Sequence, residues 1–398
     1  MGDTLTDLRA DALFVRLRTC APTLVLGDLA FVTRHADVRE VLSRPGDFSV
    51  DPYGEAIARV TPESDFLLGQ ADGESYRRQL GWLRAAFPPD AVPQATAAAT
   101  RHAAAATATA GTSLDLLDGF ARPVAALVCD ELFGLALGHA DTTARWARDI
   151  FTEGFVNVLR LPLLTRRARR SAGAFGAALD ARIAAVHRER QGGVSSDDGL
   201  GRLLAMQEAG DAGLTDARIA DLLLWTVAGT VDNVATATCR VVHEWLDRPA
   251  VLAQARAAVA RADDDEVWRL AREALRFGTP TPMVVRRCRA TCAIARGTSH
   301  EAHVPAGALV LVGVGAAMMD PDVLEAPAEF QPGRPAEHYL HFGVGMHRCL
   351  GAHLASAIVA AMVSAVVSRA GLRRGSGLAG RLRMAGPFPK RFTVRFDA

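Results

Sequence analysis

The sequence predicts a mainly α-helical protein with a small β region. Long stretches carry apolar residues at helical spacing. Between Pro282 and Val314 the pattern changes to short β-branched runs punctuated by Gly and Pro. The two patterns interleave along 398 residues with no internal repeat, low-complexity linker or charge block, so a single domain spanning 1–398 is expected.

Gln94 to Ala110 is an alanine-rich helix. Pro93 suits its first turn and Gly111 stops it. Ser113 to Leu137 and Ala140 to Phe155 follow as further helices. Ser171 to Arg190 is another, ending at the surface loop "QGGVSSDDG". Leu214 to Asp247 is a long apolar helix with Thr215 as N-cap and Arg248-Pro249 as its end. Its interior, "VAGTVDN", conflicts with its flanks, because Gly, Asp and Asn disfavour helix interiors; such a conflict inside a strong element often marks a functional site. "MVVRRC", "CAIARG" and "HVPAGALVLVGVGAA" read as strands with turns at Gly297 and Pro305-Ala306-Gly307. The Pro-rich "MMDPDVLEAPAEFQPGRP" is irregular. It leads into the loop "YLHFGVGMHRCLGAHLA" and a helix from Leu350 to Ala370, and "FTVRF" closes the chain as β.

Hydrophobic residues make up 49% and charged residues 22%, the balance of a globular chain. A formal net charge of +1 argues for neither a nucleic-acid nor a membrane-surface partner. "MGDTLTDLRADALFVRLRTC" offers no apolar run for a signal peptide or membrane anchor, and Gly2 alone is weak evidence for a lipid. The six cysteines are scattered, without CxxC, and Cys288 and Cys292 stand four apart. Reduced thiols in a cytoplasmic protein are expected.

The loop around Cys349 concentrates chemistry. Gly343, Gly345 and Gly351 flank it, and glycine lets backbone approach a flat ligand closely. An apolar helix follows, whose first amides favour a thiolate. His347, two residues away, can donate to an acidic group of the same ligand. A thiolate on a rigid, apolar loop suits an axial ligand of haem iron. Two blander readings compete. A lone cysteine is usually a small hydrophobe, and a glycine cluster before a helix can hold phosphate. "GVGMHRCLG", however, lacks the Lys-Ser/Thr of a phosphate loop.

Phe342, Gly343, Gly345, His347, Cys349 and Gly351 resemble the cysteine-ligand loop of the cytochrome P450 family, F-x-x-G-x-H/R-x-C-x-G. "EALR", Glu273 to Arg276, resembles that family's E-x-x-R helix. "EFQPGRP" resembles the meander whose arginine, here Arg334, completes a Glu-Arg-Arg network. The resemblance covers nearly the whole chain. It implies the family's triangular helical prism, with haem b between the Leu214–Asp247 helix and the Leu350–Ala370 helix, its iron ligated by Cys349. By position it implies His347 and Arg286 as partners of the haem propionates, with Arg287 the alternative after a one-residue slip. The family's usual His and Arg on an early helix fall at Tyr76 and Leu80 in "ESYRRQLGWLRAAF", so Arg78 or Arg84 is expected to compensate.

The family usually carries an acid followed by a threonine on the long helix, a pairing suited to proton delivery. Here the segment reads "AGTVDNVAT". Aligning Ala228-Gly229 directly puts Val231 and Asp232 at those positions. Counting back from Arg248-Pro249 puts Asp232 and Asn233 there. The second register is preferred, with a local irregularity near Gly229. Asn233 hydrogen-bonds but does not relay protons as a hydroxyl does, and Thr230 and Thr236 are the nearby hydroxyls. "AAMMDP" departs similarly, Met318 and Met319 standing where many relatives have Asn-Arg.

The resemblance implies a haem-thiolate monooxygenase that tailors a small natural product with electrons from a ferredoxin and its reductase. Asp232, Asn233 and Thr230 would handle protons and oxygen. The expected pocket is lined by the Ser49–Gln70 loop, Phe151–Leu164, Leu224 to Val231, Pro280 to Val285, and Pro387-Phe388. The missing threonine also fits a peroxide-dependent enzyme, and it leaves open a non-catalytic relative that activates a partner or, more weakly, a gas sensor.

Overall fold

The apolar run after Thr215 folds as one helix, Asp216–Leu246, in a computed structural model that describes residues 10–157, 160–211, 213–386 and 388–397. Thr215 caps it, its hydroxyl accepting from the Arg218 amide at 3.2 Å. Leu222, Trp225, Val231, Val234, Thr238, Val242 and Trp245 are all buried, as expected of a helix apolar on every side. The irregularity expected near Gly229 is absent. Polar side chains bond back one turn: Thr226 to the Leu222 carbonyl at 2.6 Å, Thr230 to Thr226 at 2.7 Å and Asn233 to Gly229 at 2.8 Å. These bonds satisfy the polar residues without opening the backbone ladder.

The helices Arg122–Leu132, Ala140–Phe151, Pro162–Gln191, Asp264–Phe277 and Ala352–Val367 pack around this axis. Val92–Thr109 lies along Ala352–Val367, and its buried face of Ala95, Ala98, Ala99 and Ala103 permits close approach. The expected helix from Ser113 to Leu137 divides. Ser113–Asp115 pairs antiparallel with Thr393–Arg395, and the Asp115 carboxylate accepts from the Leu117 and Asp118 amides at 3.0 and 3.3 Å. That local turn leads into a turn of π-helix, Leu117–Ala121, and the α-helix begins only at Arg122.

The main sheet has five strands in the order Thr23–Leu26, Leu29–Val32, Leu309–Val312, Val284–Cys288 and Phe48–Ser49. Its first hairpin, absent from the sequence reading, turns at Gly27, whose φ of +56° suits glycine. Leu29–Val32 runs parallel to Leu309–Val312, so chain segments nearly 280 residues apart share one buried face of Ala30, Val32, Val310 and Val312. Cys292–Ile294 and Ala302–Val304 form a separate hairpin. Among the described residues no helix is long and apolar enough to cross a membrane.

Candidate functional site

Two left-handed glycines shape the Cys349 loop: Gly343 with φ +66° and Gly345 with φ +76°. A Cβ on Gly345 would lie 2.4 Å from the Leu42 carbonyl oxygen, so both its conformation and its packing require glycine. The loop closes on itself, the Cys349 amide donating to the Phe342 carbonyl at 2.8 Å, while the Phe342 ring tilts against Trp268. Gly351 caps the Ala352–Val367 helix, and a Cβ there would touch nothing within 4 Å. The Cys349 side chain is solvent-accessible, with the Arg348 charge and the Gly351 amide beside it. Burial pushes this thiol up, while the Gly351 amide and the Arg348 charge pull it down.

Beside the loop stands a group of polar side chains. Arg286 is buried, donates to the Val285 carbonyl at 2.8 Å and bonds the Tyr53 hydroxyl, which also accepts from the Val285 amide at 3.0 Å. Among the described residues no carboxylate pairs with this guanidinium. Arg286 faces His347, and burial followed by that neighbouring charge brings the imidazole down to about 4, so it is neutral at pH 7. His347 sits edge-on to Tyr76 at 5.3 Å between ring centres, and the Tyr76 hydroxyl donates to the Met346 carbonyl at 2.6 Å.

Under the loop lies a fully buried ionic network. Glu273 accepts from Arg276 at 2.7 and 3.1 Å, from the Gln331 amide at 3.0 Å and from the Tyr339 hydroxyl at 2.8 Å. Arg334 pairs with it at 3.5 Å and donates to the Glu325 and Ala326 carbonyls. Arg276 also donates to the carbonyls of Met318, Pro327 and Glu329. Met318 is therefore part of this network as well as of the core.

A model of the family described as cytochrome P450 matches residues 27–372. The chain belongs to the cytochrome P450 family. The erythromycin C-12 hydroxylase of Saccharopolyspora erythraea is 27% identical over 81% of this chain and 77% of its own. The cyclomarin C epoxidase of Salinispora arenicola is 31% identical over 61% of this chain but only 57% of its own length. The match to the DoxA monooxygenase of a Streptomyces species, at 37% identity, spans 28% of this chain and 25% of that protein. Among solved structures, CalO2 superimposes with a TM-score of 0.82 at 22% identity, covering 97% of this chain and 95% of that one. The open form of EryK from S. erythraea gives 0.80 at 24%, covering the same shares. These likenesses carry the fold.

The residues of this P450 fit the haem that its family binds. An accessible thiol with an amide and a guanidinium beside it is a suitable iron ligand. A buried arginine without a carboxylate calls for an anion, and a neutral histidine beside it supplies a further donor. Arg78 is not brought to this group. It pairs with Glu74 at 3.3 Å and lies over Trp82. Two residues along a helix from Tyr76, it points to the opposite side of Glu74–Ala86. Arg84 stands two turns from Tyr76 on the same side, and its charge faces the Tyr76 hydroxyl.

On the long helix the neighbours Asp232 and Asn233 point apart. Asp232 is buried between Arg122 at 3.1 Å and Arg148 at 3.2 Å, on the helices Arg122–Leu132 and Ala140–Phe151. Burial pushes its carboxyl up to about 6, against the pull of Arg122. Its Oδ2 has no partner. Asn233 turns toward the Pro280–Val285 segment, where the Thr281 hydroxyl donates to its Oδ1 at 3.2 Å. Thr230 is held by its own helix turn. Nearby rings gather into an apolar wall: Phe66 stacks on Trp225, whose indole donates to Thr61 at 3.1 Å, and Phe155 lies between Tyr53 and Phe151. The Ser49–Gln70 segment that supplies part of this wall is not a plain loop: it contains the helix Asp51–Val60 and the short 3-10 helix Leu67–Gly69. Pro387 lies outside the described residues, while Phe388 packs edge-on against Phe151. Tyr53 and Thr281 lie within the expected lining segments but could not be singled out, because a tyrosine in "DPYGE" and a threonine in "TPTPM" carry no pattern that marks them.

Proposed function

We propose that this protein is a haem-thiolate monooxygenase that oxidises a small, largely apolar natural-product intermediate, using electrons from a ferredoxin-type partner. The observation that carries the reading is Cys349, accessible within the family's loop and adjacent to the uncompensated Arg286. Haem bound there would supply the oxygen-activating and electron-transfer chemistry. Cys349 would ligate its iron. Phe342, Gly343 and Gly351 would leave room for the group at the loop. Arg286 and His347 would bind its carboxylates, one as a cation and the other as a neutral donor, with Tyr53 and Tyr76 beside them. The aromatic wall from Phe66 to Phe155 receives apolar substrate and excludes water. Asn233 and Thr281 orient a polar group at the end of that wall. Asp232, expected by its motif position to handle protons, instead faces Arg122 and Arg148 on the side of the helix away from Asn233 and ties their helices to the long one. The hydroxylase and epoxidase among the relatives support oxidative tailoring as the reaction type.

A second reading is favoured by one observation. Where a hydroxyl would relay protons stands the amide of Asn233, and the acid beside it is held by two guanidiniums. Chemistry that takes an existing O–O bond needs less proton delivery. Turnover of host small-molecule extracts with reductant plus oxygen, compared with peroxide alone, separates the two. Product only with reductant supports the monooxygenase, and equal product with peroxide alone supports the second reading. Purified protein without haem would remove both.

A further inference from the structure

The hairpin formed by Cys292–Ile294 and Ala302–Val304 meets the main sheet at the end of Val284–Cys288, and two thiols face each other across that junction. The Sγ atoms of Cys288 and Cys292 lie 3.7 Å apart, the one thiol–thiol contact among the described residues. Cys288 is buried, and its thiol donates to the Ala290 carbonyl at 3.1 Å. Cys292 is half-buried at the rim, within reach of a small oxidant. The charges around the pair are unequal. The Arg44 guanidinium donates to the Ala293 carbonyl at 2.9 Å and faces the Cys292 thiol, although Glu40 and Asp47 share it. Asp47 faces Cys288, and burial together with the Cys292 contact pushes that thiol up to about 11. Of the pair, only the Cys292 sulfur is open to a small oxidant, so access assigns the first attack to Cys292 and the resolving role to Cys288.

We propose that Cys288 and Cys292 form a peroxide-reactive dithiol that closes to an intramolecular disulfide, stapling the hairpin to the strand that carries Arg286. The Cys292 thiolate attacks one oxygen of hydrogen peroxide. The O–O bond breaks, an S–O bond forms, and the departing hydroxide takes up a proton to leave as water. The Cys288 sulfur then attacks the sulfenic sulfur. The S–O bond breaks, and the hydroxide leaves with the Cys288 proton as a second water. The dithiol loses two electrons and the peroxide gains them. An organic hydroperoxide reacts in the same way, releasing alcohol in place of the first water. A contact of 3.7 Å must close to about 2.05 Å, a movement available to two side chains at a hairpin base.

Trypsin makes the test direct, because cleavage after Arg287, Arg289 and Arg296 puts the two cysteines on separate peptides, Cys288-Arg289 and Ala290 to Arg296. The full-length protein is treated with hydrogen peroxide, capped with iodoacetamide, digested and weighed by mass spectrometry. The expected result is a dose-dependent linked pair of these peptides that dithiothreitol abolishes. In C288S, oxidation should stop at a Cys292 sulfenic acid that dimedone traps, and in C292S Cys288 should remain reduced. If both thiols are still capped at doses that oxidise the exposed Cys20, the dithiol is refuted. Dimedone labelling of Cys288 in C292S, equal to that of Cys292 in C288S, would overturn the assigned roles.

Discussion

Under the Cys349 loop the polar groups form a buried charged network, Glu273–Arg276–Arg334, whereas around Gly229–Asn233 hydroxyl and amide side chains bond back to their own helix, and Asp232 and Asn233 reach side chains of other segments. In the first region Glu273 takes Arg276, Arg334, Tyr339 and the Gln331 amide, and the two arginines direct their other donors to backbone carbonyls. In the second, Asp232 depends on two arginines from two other helices, and Asn233 on a threonine from a fourth segment. The lesson concerns tolerance. A buried charged network leaves stranded charges when one member is lost, while side chains that bond back to their own helix turn keep a partner when an outside one is removed. This agrees with family motifs intact at Cys349 and altered along the long helix.

The largest effect should come from Glu273→Ala, which strands Arg276 and Arg334 in the core. A loss of roughly 3–5 kcal/mol is expected in urea unfolding, enough to abolish most folded protein. Should this variant unfold within 1 kcal/mol of the parent, by the yardstick for exposed pairs, the contrast between the regions is gone. Next, Arg286→Ala should weaken haem retention strongly while leaving the helical circular dichroism unchanged. Haem bound as tightly as before would remove Arg286 from the site.

Asp232 provides a test with a sign. Its folded carboxyl, near 6, lies above the ordinary carboxylate value. The stability it contributes is therefore full below about pH 4 and is lost as pH rises through about 6. Relative to Asp232→Asn, the parent should lose up to roughly 3 kcal/mol between those limits, read from urea midpoints at several pH values. Parallel curves would mean that the two arginines hold the carboxylate charged throughout. Asn233→Thr should act more mildly, leaving haem content intact and raising product formed per electron consumed a few-fold. Loss of haem in this variant would place position 233 elsewhere in the site. Arg78→Ala should do least, with unchanged haem affinity, since its partners are Glu74 and Trp82.

The cysteine loop was legible because its information is local. Glycines at Gly343 and Gly345 answer a backbone need within a few residues of Cys349, and Glu273 and Arg276 share one helix face. Arg78 was misplaced because spacing alone puts it near Tyr76, while helical rotation turns it away. The irregularity expected at Gly229 failed for a related reason. Back-bonding of Thr226, Thr230 and Asn233 keeps the helix whole, and composition does not record where a side chain bonds. The strand at Ser113–Asp115 was read as helix because its partner, Thr393–Arg395, lies almost at the other end of the chain.

By itself the amino-acid order determined the helix-rich class, the cap at Thr215, the glycine-built cysteine loop and the membership these motifs announce. Those features depend on neighbours within a turn or two, where periodicity, φ preference and hydrogen-bond reach act directly. Only the tertiary structure decided that Arg286 meets His347, that Asp232 and Asn233 part company, and that Cys288 touches Cys292 across two sheets. The first is a meeting of distant segments, and the other two depend on how neighbouring side chains are turned by the elements packed around them, which linear spacing does not encode.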